Sequence, residues 1–268
     1  MKKKCILCLF GVIPRSIKYT YKSINDRIIE PLKKDYDVDI YIFNLNVDKT
    51  KVDGVILNQN DIDILPYKYK EEYNQEKLDT DIKELKKNIN FKFRNNYAKK
   101  FPNRIQNAIR QMYSEYRVGS FLEKKCNNYD VSVVCGPDYY IANQINLDHV
   151  KKSIINNFVF FSQVNNAQGI TNGFYFGKPK LLYPFLKRYE IMKKFFPNNK
   201  DYEYVLLMAV KHYKINIRYT NIVFFKIRAS KNVWWQGGKK LNYIKNPNHK
   251  KIIRNRYNSL KKNGFKLI

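Results

Sequence analysis

The chain has 268 residues, 44% of them hydrophobic, enough for one large domain or two small ones with a real core. Lys and Arg number 51 against 23 Asp and Glu, a net charge of +28. Such a balance attracts nucleic acid, acidic lipid or nucleotide phosphates. No apolar run approaches the ~18 residues that span a bilayer. The opening Met1-Lys-Lys-Lys-Cys-Ile-Leu-Cys-Leu-Phe-Gly has a short apolar part, and Pro14-Arg15 follows it without a small-residue cleavage site. It therefore reads as a first strand and not as a signal peptide. The expectation is a cytoplasmic chain with no transmembrane segment. The basic residues are spread along the sequence, and Lys, Asn, Ile and Tyr are all plentiful, as an AT-rich genome would produce. Solubility and a functional polyanion surface both remain open as readings of the charge.

Residues 4–11 form the first predicted strand, followed by a loop over Val12-Ile-Pro-Arg15. Over 17–33, Tyr21, Ile24, Ile28 and Leu32 share a helical face, with Pro31 near the end. Val38-Asp-Ile-Tyr-Ile-Phe43 is the next strand. Strand, helix and strand in this order make a βαβ opening and predict a parallel sheet. Residues 46–62 read as a loop with a short strand at Gly54–Leu57. Residues 66–103 are polar and poorly patterned, an excursion from the core with a helix around Leu78–Lys87. A strong helix over 104–124 puts Ile105, Ile109, Met112 and Tyr116 on one face. Strand 131–135 follows, then a short helix or turn from Asn146 and a strand over Phe158–Val164. The stretch from Asn165 to Gly177 is rich in amides and glycine and becomes strand-like. Pro179 opens a helix, Tyr202–Tyr213 forms another, and Ile215–Ile227 makes one or two strands. Residues 229–246 are loop-like and include Trp234-Trp235. A basic helix over 248–262 carries Lys250, Lys251, Arg254, Arg256, Lys261 and Lys262 and ends near Gly264. Cys5 and Cys8 have the spacing of a metal or redox pair. They sit inside a strand and not in a turn, and no second pair accompanies them. With Cys126 and Cys135 they read as reduced cysteines in or beside the core, which favours a cytosolic compartment.

Five constellations could carry chemistry, each with an ordinary structural alternative. Gly11-Val-Ile-Pro-Arg15 ends a strand. Glycine lets a ligand approach the backbone there, and Arg15 could pair with a diphosphate. It could equally be a plain strand-to-helix turn, and it matches neither the P-loop nor the dinucleotide fingerprint. Asn44 and Asp48 follow the second strand, where side chains commonly face a nucleoside; a polar turn explains them as well. Val131-Ser-Val-Val-Cys-Gly-Pro-Asp138 stops a β-branched run at a Gly-Pro break with an acid behind it. Asp138 could hold Mn²⁺ or Mg²⁺ if substrate phosphates supply the other ligands, or it could simply form a turn. Asn172-Gly-Phe-Tyr-Phe-Gly177 suits a sugar pocket, or a tight turn with core aromatics. Asp201 and Glu203 start a helix, where acids are favoured by the dipole, or supply a general base. Three histidines, His149, His212 and His249, support no nucleophile triad.

With these segments in order, the chain resembles GT-A-type glycosyltransferase-like proteins of giant DNA viruses and bacteria over roughly residues 4–230. The likeness is carried by Cys5–Ser16, Asp37–Asn44, Tyr113–Gly119, Tyr129–Asp138, Asn172–Gly177 and Tyr202–Leu206. The resemblance implies a Rossmann-like, mostly parallel mixed sheet flanked by helices. It further implies a single domain over 1–230, followed by a basic extension over 231–268. It implies sugar transfer from a nucleotide-sugar donor to a glycan or glycoprotein acceptor, commonly with Mn²⁺ or Mg²⁺ on Asp138. Gly11, Arg15, Asn44, Asp48, Arg117 and Asp138 would then serve the donor. Asn172, Gly173 and Tyr175 would line the acceptor side, and Glu203 or Asp201 would be the base if the reaction inverts. Two residues depart from the pattern: Gly136 stands where an Arg is expected, and Asn172 where an Asp is expected. Those departures keep open an inactive carbohydrate-binding or scaffold protein on the same fold. The charge keeps open a nucleic-acid-binding protein, and the basic terminal helix a tether to an anionic membrane surface.

Overall fold

The computed structural model describes residues 2–47, 51–83, 104–164, 169–192, 202–234 and 246–267. The chain opens with β1 (Lys3–Gly11) and a helix in two parts, α1 (Ile17–Ile24) and α2 (Glu30–Lys33), joined by a π turn over Asn25–Ile29. Then come β2 (Tyr36–Asn46), a hairpin of β3 (Lys51–Val52) and β4 (Val55–Ile56), β5 (Tyr69–Asn74) and α3 (Gln75–Asp81). The middle holds α4 (Arg104–Lys125), β6 (Val131–Cys135), β7 (Tyr139–Ile141), α5 (Leu147–Ile155), β8 (Val159–Ser162) and β9 (Phe174–Gly177). The remainder is α6 (Pro179–Leu186), α7 (Tyr202–His212), β10 (Ile217–Thr220), β11 (Phe224–Ile227), β12 (Asn232–Trp234), α8 (Pro247–Lys262) and β13 (Lys266–Leu267).

Seven strands make the main sheet in the order β10-β8-β9-β6-β1-β2-β5. All neighbours run parallel except those of β9, which is reversed between β6 and β8. The reason lies in β1. Its Cys5, Leu7 and Leu9 join the core under α1, α2 and α5, while Ile6, Cys8 and Phe10 join the core under α4, α6 and α7. A strand covered on both faces must be apolar throughout. The same alternation separates Cys5 from Cys8 across the sheet, so the two-residue spacing makes no shared site. All four cysteines are free, and burial pushes the Cys5, Cys8 and Cys135 thiols up, which suits inert core residues.

The sheet order locates the topological switch point. From β1 the chain steps outward to β2 and β5, then returns to the other flank of β1 as β6. The switch point therefore lies between β1 and β6, and the crevice outside their carboxyl ends is the natural binding place in such sheets. Register pairs Leu9 with Cys135, so the loops beginning at Gly11 and Gly136 leave side by side.

A second sheet, β13-β12-β11-β7, packs at this end and ties in the C-terminal segment. Ile253 and Leu260 of α8 enter the same core as Leu7, and Tyr257 packs on Phe225 at 5.4 Å. The outer face of α8 exposes Lys251, Arg254, Arg256, Lys261 and Lys262. Residues 69–74, expected outside the core, instead form the edge strand of the main sheet. Their exposed Lys70 and Glu72 explain why no apolar pattern marked them, since charged side chains protect an edge. Among the described residues no helix is long and apolar enough to cross a membrane.

Candidate functional site

The loop after β1 is built to present one arginine. Gly11 turns the chain at φ +112°, a region open mainly to glycine. The next turn is pinned where Ile13 N–H donates to Asn44 Oδ1 at 3.0 Å. Ile13 and Pro14 are buried, and Arg15 emerges at the carboxyl end of the sheet. Its Nε and Nη2 donate to the two carboxylate oxygens of Asp53 at 2.9 and 3.1 Å, a bidentate clamp. Asp53 and Gly54 both have positive φ in the β3–β4 turn, as tight hairpins require. Ala229 N–H adds a third bond to Asp53 Oδ2 at 3.3 Å. Burial pushes the Asp53 carboxyl up, but the hydrogen bond and charge of Arg15 outweigh it and hold it below the usual range.

Asp138 follows β6 and lies across the switch point from Arg15. Its backbone carbonyl accepts from Ile227 N–H at 2.7 Å, which fixes it to β11. Its carboxylate is only 10% exposed and has two cationic neighbours, Arg15 Nη1 at 4.0 Å and Lys226 Nζ at 3.6 Å. Lys226 stands opposite Tyr139 in the β11–β7 pair, and its Nζ lies over the Tyr139 ring at 5.5 Å. Burial pulls the Lys226 pKa below the ordinary lysine value; Asp138 opposes this, while Arg228 and Arg15 add to it.

This donor set does not fit the divalent cation that the resemblance implies. A unit-charge pair ~4 Å apart interacts by ~4 kcal/mol at an effective dielectric of ~20. An ion on Asp138 would meet one carboxylate and two fixed positive charges within 4.0 Å of it. Among the described residues no three His, Cys, Asp or Glu side chains gather to hold a metal.

Position 136 has little space for a side chain. A Cβ on Gly136 would lie 2.3 Å from Tyr139 Cε2, and one on Gly173 would lie 2.8 Å from the same atom. The two glycines are joined by Gly136 N–H donating to Gly173 O at 3.1 Å. Tyr139 rests against them, with the Phe224 ring 4.3 Å away. The aromatic ring thus fills the space that a side chain at 136 would need, and Lys226 brings a cation to the same spot from another strand.

The other expected residues divide. Asn172 lies at the same end of the sheet, where β9 begins; it is 3% exposed, and its Nδ2 has no hydrogen-bond partner among the described residues. Glu203 is buried in the first turn of α7, and its charge is felt at Lys226. Tyr175 corrects the expected acceptor lining. It points into the helix-covered core against Phe161 and Phe185, fully buried, because β9 lies inside the sheet. Gly173 serves the packing of Tyr139, as described. Arg117 is bound to Glu71 of β5, which lies three strands from β6, so it is not at the switch point. Asn44 is buried, and its side chain braces the loop from Ile13 and bonds Glu72, which leaves it a scaffolding part. Asp48 and Asp201 lie outside the described residues.

Sequence reasoning missed Asp53, Tyr139 and Lys226. The Asp-Gly dipeptide at 53–54 was a hairpin signal. A single lysine inside the apolar run Ile222–Ile227 was the trace of Lys226.

A cavity of about 560 Å³ lies at the opposite, amino-terminal edge of the sheet, lined by Lys2, Lys4, Asp39, Lys68, Tyr129 and Asp130 among others. Its Asp39 already accepts from Lys68 and Tyr129, both at 2.7 Å, and it is remote from the switch point. No family model matches this sequence, and no curated protein matches it.

Proposed function

We propose that the protein is a GT-A-like glycosyltransferase that moves a sugar from a nucleotide-sugar donor to a glycan or protein acceptor. The observation that carries the reading is the pair of cations at the switch point, Arg15 and Lys226. Arg15 Nη1 and Lys226 Nζ stand 4.0 and 3.6 Å from the Asp138 carboxylate, ion pairs longer than a hydrogen bond. A diphosphate would offer both cations closer oxygen acceptors. The mostly parallel sheet with one reversed strand beside the switch strand supports the same reading, as does the nearby unpartnered amide of Asn172.

The chemistry follows from the charges. The acceptor hydroxyl oxygen forms a bond to the anomeric carbon while the bond from that carbon to the donor phosphate breaks. The electron pair leaves with the nucleoside diphosphate, whose growing charge faces Arg15 and Lys226. Cations fixed before the reaction stabilise that charge without reorganisation. In an inverting reaction Glu203 takes the hydroxyl proton. Asn172 donates to a sugar hydroxyl.

A thermal-shift screen against UDP-, GDP-, CMP- and dTDP-sugars tests the proposal, because a ligand that binds only the folded state raises its apparent stability. One nucleotide family should shift the melting point, and the protein should then release its nucleoside phosphate in the presence of acceptor glycans. No shift with any donor overturns the reading.

A further inference from the structure

We infer that donor binding in this protein needs no divalent cation: Lys226, with Arg15, is the fixed positive charge against which the diphosphate is held. The inference rests on the nucleotide-sugar reading and adds to it the identity of the cation.

Three observations converge on Lys226. Position 136 has no room for a side chain, because its Cβ would collide with Tyr139 at 2.3 Å. Position 136 therefore offers no charged side chain, and the cations that reach Asp138 come from the loop after β1 and from β11. The antiparallel pairing of β11 with β7 puts Lys226 opposite Tyr139. The same ring that excludes a side chain at 136 lies under the Lys226 ammonium at 5.5 Å. Finally, Asp138 is already matched by positive charge on two sides. A Mg²⁺ or Mn²⁺ site is built from carboxylates and substrate phosphates, and here ammonium and guanidinium groups surround the one carboxylate.

Arg15 is clamped by Asp53, so its Nη1 direction is set before ligand arrives. Arg228, two residues along from Lys226, adds positive potential at both Asp53 and Lys226. Glu203 contributes the nearby negative charge expected of an acceptor-side base. Asp138 acts as a counterion that holds Lys226 in place when no donor is bound. On donor binding, Lys226 keeps one partner and gains another, the phosphate oxygen.

The test uses the full chain, with UDP, GDP, CDP, dTDP and inorganic pyrophosphate as probes in a calorimetric titration, once in EDTA and once in Mn²⁺. The expected result is binding of at least one nucleoside diphosphate in EDTA, with affinity changed by less than about threefold on adding Mn²⁺. Lys226→Met should weaken it by about tenfold or more, the worth of one charge-assisted hydrogen bond. Lys226→Arg should keep most of the affinity, and it guards against misreading a misfolded Met variant. Asp138→Asn separates the two models most sharply. If Asp138 is a counterion, its loss leaves affinity equal or higher; if it is a metal ligand, affinity collapses. Binding that EDTA abolishes and Mn²⁺ restores overturns the inference while the nucleotide-sugar reading survives. Binding of no nucleoside diphosphate in either buffer overturns that reading itself, and the inference with it.

Discussion

Replacing Gly136 by alanine tests whether the ring of Tyr139 truly owns that space. The added methyl would start 2.3 Å from Cε2 and 2.6 Å from Cδ2, whereas ordinary contact begins at 3.4 Å, so the ring must retreat by about 1.1 Å. It has little room, because Gly173 lies against the ring and Phe224 is 4.3 Å away. Forcing an extra methyl into a packed site costs roughly 1–3 kcal/mol. The backbone at 136 is outside the left-handed region, so alanine also restricts the unfolded chain and returns roughly 0.4–1 kcal/mol. A net loss of up to about 2.6 kcal/mol remains, readable as a lower urea midpoint with unchanged slope. In a Tyr139→Val background the ring is gone and Gly136→Ala should instead stabilise by about 0.4–1 kcal/mol, a coupling that a double-mutant cycle isolates. An equal effect in both backgrounds refutes the argument that Tyr139 excludes the side chain. Gly136→Arg carries the same clash and should destabilise at least as much.

Two further changes probe the scaffold. Arg188 and Glu115 form an ion pair with both side chains fully buried, and Gln111 Nε2 donates to Glu115 Oε1 at 3.0 Å. Burial pushes the Glu115 carboxyl up and Arg188 pulls it back. Arg188→Met alone should cost about 3–5 kcal/mol in urea unfolding, and adding Glu115→Leu should recover much of it, because the uncompensated buried charge is then removed. A double variant no more stable than the single one contradicts this. His149 stacks on Phe160 at 4.9 Å, and burial, with Lys152, lowers its pKa against the pull of Asp148. The folded state then holds this proton less tightly than the unfolded one, so stability rises with pH across the window from the lowered value to the ordinary 6.5. Wild type should lose more stability than His149→Gln on going from about pH 7.5 to about pH 5; parallel curves for the two proteins refute it.

What the sequence disclosed depended on whether an element met the core on one face, on both, or on neither. β1 and β6 were legible because strands buried on both sides are mostly apolar, Ser132 of β6 being bonded to Gly177. α4 was legible because Ile109 and Met112 repeat with the period of a helix facing a sheet. β5 was not, because an edge strand carries charges that read as loop. β7 and β12, three residues each, are too short to show any period. Tyr175 was misplaced for a related reason. In a strand set between two others, alternate aromatics serve opposite faces, and the face of Tyr175 is fully covered.

The site was half legible in the same way. Gly11, Arg15 and Asp138 announced themselves because each ends or follows an apolar run at a turn, and parallel strands bring such turns together. Their partners came from the second sheet, where nothing in the local pattern of Phe224–Ile227 says what its lysine will face. The pairing of β11 with β7 answers that, and it changes the chemistry inferred. Asp138 alone, after a Gly-Pro break, argued for a metal. Asp138 with Lys226 at 3.6 Å and Arg15 at 4.0 Å argues for an anion. A carboxylate at a switch point is therefore ambiguous until its charge partners are known, because the same side chain binds a cation when they are acids and positions a cation when they are bases. In this chain the bare position 136 and the lysine at 226 meet on the two sides of one ring, that of Tyr139.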